Sequence, residues 1–250
     1  MHICLTETAA GPISRSQLQS ALEQSLRGME LRRVLIIPPD FTRLHSYAGP
    51  IVNLYYHLLT QRGCQVDVLP ALGTHAPMTA RECSAMYGDI PFDRFLVHHW
   101  RSDVTCLGHV PGDFLEQVSG GLWQQPISVE INRRLLDPSY DLILSVGQVV
   151  PHEVVGMANY TKNLFVGVGG SEMISKSHML GALYGLERIM GRDHTPVRDL
   201  LDYAADRILR SLPITYVLTV CTAPAGTSQL HGLFIGDTRQ TFEDAVALAQ

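Results

Sequence analysis

Leu18, Leu22 and Leu26 recur every four positions, a period that predicts a helix over residues 12–26. Ser14 and Gln17 have the spacing of a capping box at its start. Arg33-Val34-Leu35-Ile36-Ile37 then runs apolar and stops at Pro38-Pro39, the pattern of a parallel strand buried on both faces. Helical spacing returns over residues 50–61 with Ile51, Leu54, Tyr55, Leu58 and Leu59 on one face, and Gly63 ends it. Val66-Asp67-Val68-Leu69 reads as a second strand, residues 79–87 as a short helix and residues 95–98 as a third strand.

Residues 141–146 carry the clearest buried-strand pattern of the chain, and helical spacing follows over 171–190 and 196–209. Residues 214–221 and 230–235 read as a strand pair joined by the turn-like Ala223-Pro224-Ala225-Gly226. A last amphipathic pattern starts at Phe242 and meets no stop signal, which predicts a further domain or subunit packing beyond it. Strands alternating with helices predict an α/β, Rossmann-like, doubly wound and mainly parallel sheet with right-handed crossovers. No repeat, low-complexity tract or Gly/Ser linker divides the chain, so residues 1–250 read as one α/β domain.

Composition narrows the function classes. A 250-residue chain can bury a core without disulfides or a structural metal. The net charge of -5 gives no overall basic surface for a nucleic-acid backbone. The five cysteines are odd in number and never paired as C-x-x-C, which argues against a disulfide framework and a zinc-thiolate site. No H-E-x-x-H is present to build a zinc hydrolase. The N-terminus lacks the basic and apolar regions of a signal peptide, and no apolar stretch is long enough to span a bilayer, so the expected location is cytoplasmic.

Ligands of open α/β sheets bind beyond the carboxyl ends of the strands. Asp40-Phe41-Thr42-Arg43 follows the first predicted strand, Gly73-Thr74-His75-Ala76-Pro77-Met78-Thr79 the second, and Pro151-His152-Glu153 the strand near Val150, with Lys162 and His178 further on. Each residue alone has a plain alternative: an Asp40–Arg43 surface pair, solvated loop histidines, an exposed lysine. Together they deliver chemistry. A guanidinium grips a carboxylate with two parallel hydrogen bonds. Two histidines from different strand ends can flank a substrate carbon and move protons near neutral pH, and a third can bind a transition metal through one neutral nitrogen. His98-His99-Trp100 is read as structural, because adjacent strand residues point to opposite faces.

The chain resembles the nickel-pincer-nucleotide lactate racemase family. The resemblance rests on Asp40-x-Thr42-Arg43, on the segment around His75, and on His152 with Gly156, Lys162 and His178. Lys162 follows His152 by ten residues and precedes His178 by sixteen, as in the family. The likeness runs from about residue 32 to the end and stops where the family's C-terminal domain begins, so that domain is expected to be a missing partner. By this resemblance Lys162 bears the nickel-pincer nucleotide covalently, Thr42 and Gly156 contact it, and His178 is the single protein ligand to nickel. His75 and His152 are the paired general acid/base residues, and Arg43 with Asp40 holds a small 2-hydroxy acid. The implied activity is an isomerase that racemises or epimerises this acid by reversible hydride transfer. The resemblance implies no nucleic-acid or membrane partner and leaves any homo-oligomer open.

Departures set the alternatives. The family's Ser-Gly-Gly-Arg-like loop is Ala158-Asn159-Tyr160-Thr161 here, Ala76 replaces a basic residue, and Val166 replaces a proline. Tyr160 and Thr161 are expected to forbid some glycine conformations and so to alter the cofactor-phosphate cradle. This motivates two further readings: a different hydride transfer on a larger hydroxy acid or sugar acid, and a non-catalytic member binding a nucleotide or metabolite.

Overall fold

β1 (His2–Thr6) opens the chain as an edge strand, and α1 (Arg15–Ser25) follows. α1 begins where its capping box places it: Gln17 Oε1 accepts from the Ser14 amide at 2.9 Å while the Ser14 hydroxyl accepts from Gln17 N. β2 (Arg33–Ile37), α2 (Ala48–Gln61), β3 (Gln65–Val68) and α3 (Ala80–Tyr87) come next. An excursion of β4 (Val104–Val110), α4 (Gly112–Ser119) and β5 (Ile127–Asn132) separates them from the second half. There the order is β6 (Leu142–Gln148), β7 (Pro151–His152), β8 (Gly156–Met157), α5 (Ser171–Tyr184), α6 (Leu186–Ile189) and α7 (Pro196–Ile208). β9 (Ile214–Thr222), β10 (Gln229–Gly236) and α8 (Arg239–Ala249) complete it. This computed structural model describes residues 2–9 and 11–250.

The main sheet has the order β1-β10-β9-β6-β2-β3; β3, β2, β6 and β9 are parallel, and β10 alone runs the other way, pairing antiparallel with both β9 and β1. The expected mainly parallel, doubly wound α/β architecture is therefore what forms. Its strands are apolar on both faces because both faces are covered. Val34 and Ile36 pack with Leu22 of α1 and Ile51 and Tyr55 of α2. Leu35 and Ile37 point the other way, into a core shared with Leu180 of α5, Leu200 of α7 and Phe242 of α8. No helix among the described residues is long and apolar enough to cross a membrane.

Three expectations about elements change. Residues 95–98 form no strand; Phe95 makes a single bridge to Val68 before the chain turns away. The helix expected over 171–190 breaks at Gly185, whose φ of 100° ends α5 and starts the short α6 at a new angle. β1 and the β4–β5 pair lie where the apolar pattern predicts nothing.

Topology places the site. β2 leads to β3 on one side, and after the excursion the chain returns to β6 on the other side of β2. The carboxyl ends of β2 and β6 thus border a topological switch point, where open α/β sheets hold ligands.

Candidate functional site

Asp40 leaves β2 just after Pro38-Pro39 and caps the tight turn Phe41–Ser46. Its Oδ1 accepts from the Thr42 hydroxyl at 2.5 Å and from Thr42 N at 3.2 Å, and its Oδ2 meets His75 Nδ1 at 2.5 Å. The carboxylate is buried, while His75 reaches toward solvent. With both oxygens committed, Asp40 does not pair with Arg43, and the Arg43 side chain makes no ion pair or hydrogen bond among the described residues. The plain reading of an Asp40–Arg43 surface pair is excluded.

His75 is delivered by the segment after β3. Ala71 N donates to Pro38 O at 2.7 Å, and Gly73, with φ of 55°, sends its N–H to Gly167 O at 2.8 Å. His152 sits in the small β7–β8 hairpin beyond β6, and its Nδ1 accepts from Val154 N at 3.1 Å. A neutral His152 therefore carries its proton on Nε2. Gly156 does not line the cavity. It has φ of 93°, and a Cβ there would lie 2.0 Å from Arg192 O, so it serves the close approach of the 191–192 turn.

The loop before Lys162 corrects an expectation. Asn159 and Tyr160 adopt φ of 64° and 58°, so the left-handed conformations that tyrosine was expected to forbid are present. Such backbone costs energy in a non-glycine residue and persists only when its surroundings enforce it. Tyr160 is clamped between Tyr216 and Phe242, with ring centroids at 4.3 and 5.1 Å. Arg198 of α7 is fully buried behind the loop, donating to Met157 O and Thr161 Oγ1 at 2.6 Å each and to Asn159 O at 3.2 Å. Thr161 in turn donates to Asp202 at 2.5 Å. Arg198→Met would strand Met157 O and Asn159 O and remove a buried charge from Asp202. A loss of about 3–5 kcal/mol is expected in urea unfolding, the scale for one member of a buried ion pair.

Lys162 follows this loop, half-buried, and its side-chain amine makes no hydrogen bond or ion pair among the described residues. Asn163 behind it donates to Ile37 O and Ser145 Oγ, both at 3.0 Å, tying the lysine's turn to the ends of β2 and β6. His178, exposed on α5, places Nδ1 at 2.6 Å from Ile174 O. The Nδ1–H donates to that carbonyl, which leaves the Nε2 lone pair unengaged. A backbone carbonyl holding one ring nitrogen while the other stays free leaves an imidazole able to ligate a metal.

Asp40, Thr42, Arg43, His75, His152, Lys162 and His178 all line one cavity of about 230 Å³. Seven of the eight residues singled out from sequence meet there; Gly156 does not. Sequence reasoning missed Asn163, Arg198 and the Asp40–His75 pair. Arg198 does leave a signal, a charge on the face that carries Leu201 of an otherwise amphipathic helix. His98 is structural as expected: its ring is buried between Asn132 Nδ2 at 2.9 Å and Gly169 O at 3.0 Å, steadying the approach to α5.

Cationic neighbours dominate at Lys162 and His152. Burial, then the charges of Arg43 and Arg198, pull the Lys162 amine down to about 8, against a smaller opposing effect of Asp40. Burial, then Lys162, Arg43, His178 and Arg198, pull His152 down to about 3. His152 is thus neutral at neutral pH. In unfolded chains it takes up a proton near 6.5, so its contribution to stability is complete above that value and is lost as pH falls toward 3. Lys162→Met removes the largest charge acting on His152, and NMR titration of its ring is expected to show the midpoint rising. An unmoved midpoint would mean that the lysine charge does not reach the ring.

Residues 5–188 match the family model described as lactate racemase N-terminal domain. A protein from Thermotoga maritima has a similar solved structure, with a TM-score of 0.87 and 22% identity over 98% of this chain and 59% of that one. The lactate racemase apoprotein from Thermoanaerobacterium thermosaccharolyticum matches with a TM-score of 0.70 and 19% identity over 95% of this chain and 52% of that one. The chain therefore spans little more than half the length of these two proteins. No curated protein matches it.

Proposed function

The chain belongs to the lactate racemase N-terminal domain family, and from that premise we propose that it racemises or epimerises a small 2-hydroxy acid while carrying a nickel-pincer nucleotide on Lys162. One observation carries the reading: an unpaired guanidinium, two proton-carrying imidazoles, an unpaired amine and an imidazole with a free Nε2 share one cavity.

The donor set suits the group. No cluster of three or more His, Cys, Asp or Glu side chains that could hold a metal occurs among the described residues. A metal at His178 would take one protein nitrogen and its other donors from a bound group, which is the ligand set the family resemblance implies. Lys162 supplies an amine that is partly unprotonated near neutral pH, the form able to accept an acyl substituent. When bound, this cofactor supplies the hydride acceptor and donor for the substrate's C2.

The chain's own residues do the rest. Arg43 forks onto the substrate carboxylate and fixes C2 in the cavity. Asp40 holds the Nδ1–H of His75, so that Nε2 points its lone pair outward and takes the hydroxyl proton as C2 becomes trigonal. The buried Asp40 carboxylate then stabilises the imidazolium that forms, and the proton returns to oxygen when the carbon is reduced. His152 comes from a different strand end and serves the other enantiomer; to take the proton from the same oxygen its Nδ1 must release the Val154 amide, so that the ring proton moves to Nδ1 and Nε2 offers its lone pair. Covalent attachment at Lys162 would abolish that amine's charge and ease the protonation of His152 that this role needs. The non-catalytic reading rests on the altered loop, yet the loop keeps its left-handed backbone.

The test uses the full-length protein produced with the cofactor-synthesis enzymes and a panel of enantiopure 2-hydroxy acids in deuterated water. Chiral chromatography should show loss of enantiomeric purity for one acid, with its C2 hydrogen retained. Exchange of that hydrogen with solvent would mean proton abstraction at carbon and sink the hydride reading. A loaded Lys162 without turnover on any acid would leave ligand binding alone.

A further inference from the structure

A cleft larger than the cavity at Lys162 lies at the other end of the sheet, where the first residues of β6 and β9 meet the start of α8. It encloses about 900 Å³, against about 230 Å³ for the cavity at Lys162. Tyr160 and Tyr216 line it, only 6% and 5% exposed, and neither hydroxyl has a hydrogen-bond partner among the described residues. Among the described residues Arg198 Nε alone is a buried side-chain polar atom without a partner, so both phenol oxygens open onto the cleft. Burial, reinforced by Asp202 and Asp206, pushes the Tyr160 phenol up; burial, reinforced by Tyr160, does the same to Tyr216. Both therefore stay protonated and present O–H donors.

Other donors converge on the same wall. α8 begins there with its positive end at the cleft; Thr238 makes no side-chain cap bond, and of the first-turn amides Thr241 N donates to Thr238 O at 3.1 Å. Arg207 and Arg210, from the end of α7 and just beyond, line the cleft and join no ion pair among the described residues. Arg239 is already committed to Asp202 and Glu243, and Asp141 to the amides of Arg32 and Arg33. Glu30, Asp206 and Asp237 also line the wall as acids.

We propose that this cleft is a second ligand site for a small metabolite bearing a phosphate or carboxylate oxyanion. Arg207, Arg210, the α8 amides and the two phenol hydroxyls hold the oxyanion. Asp206 and Glu30 select an anion whose remainder carries hydroxyl or ammonium donors. Tyr160 lies two residues before Lys162, so this ligand presses on the far side of the segment that carries the lysine.

Arginine footprinting tests this without reference to activity. The full-length protein is treated with phenylglyoxal, with and without inorganic phosphate, and modification is read peptide by peptide. Phosphate should slow modification of Arg207 and Arg210 while leaving exposed Arg27 unchanged. Arg43 is read on its own peptide, so failure at the Lys162 cavity is distinguishable from failure here. In Tyr216→Phe the phosphate concentration for half-protection should rise about tenfold, the worth of one hydrogen bond to a charged group. In Arg210→Met, protection of Arg207 should weaken similarly at an unchanged melting temperature. Absence of protection at Arg207 and Arg210, or protection indifferent to both variants, overturns the proposal.

Discussion

Lys162→Arg protein, full-length and produced with the cofactor-synthesis enzymes, is expected to lose racemisation by about 10⁴-fold or more, the scale seen when a covalent participant is removed. Arginine keeps the positive charge and much of the reach, so the cavity's field and packing change little. It cannot become a neutral amine near pH 8, and its guanidinium does not form the amide-type bond an acyl donor needs. Peptide mass spectrometry should find the wild-type residue 162 peptide heavier by the cofactor and the variant peptide unmodified. Labelling of the unloaded wild-type amine by a small acylating reagent should follow a pH midpoint of about 8. Racemisation surviving in Lys162→Arg would show that the tether is dispensable and remove the centre of the proposed mechanism. A lysine labelled only near the ordinary pKa of 10.5 would show that the cavity does not activate it.

The parts of the fold legible in the sequence are those where one physical signal dominates. β2 and β6 are buried on both faces, so their apolar runs stand out, and α1 starts on a capping box that exists in the structure. β4 is hidden because its pairing with β5 slips between Cys106 and His109, where Gly108 has φ of 143°, and this breaks the two-residue alternation. β1 is a short edge strand of mixed exposure with no helical or alternating stretch long enough to read. At the site, spacing located His75, His152, Lys162 and His178 because each follows a strand end or a helix start. What spacing cannot express is which groups are already satisfied. Asp40 stands three residues from Arg43 in sequence, yet it bonds His75 thirty-five residues away. Arg198 reaches the Lys162 loop only because α7 packs behind it. The same packing lets Asn159 and Tyr160 hold a backbone that composition alone argues against.

The Asp40–His75 contact yields the second large effect. Asp40→Asn is expected to lower kcat by about 10³–10⁴-fold, the cost of presenting a catalytic imidazole in the wrong tautomer. The amide oxygen can keep accepting from Thr42 N and the Thr42 hydroxyl, which leaves the amide NH₂ facing His75 Nδ1. Nδ1 then becomes an acceptor, the ring proton moves to Nε2, and the lone pair that takes the substrate's hydroxyl proton disappears. KM should change far less, because in the proposed arrangement Arg43 and not Asp40 carries the substrate carboxylate. Cofactor loading at Lys162 should also persist, which mass spectrometry of the residue 162 peptide can verify on the same sample. NMR of the His75 ring nitrogens would report the tautomer directly, with the proton on Nδ1 in the wild type and on Nε2 in the variant. If activity instead falls within tenfold while the tautomer switches, His75 is not the proton carrier, and the role passes to His152 alone. A large rise in KM with kcat retained would place Asp40 on the substrate rather than behind the histidine.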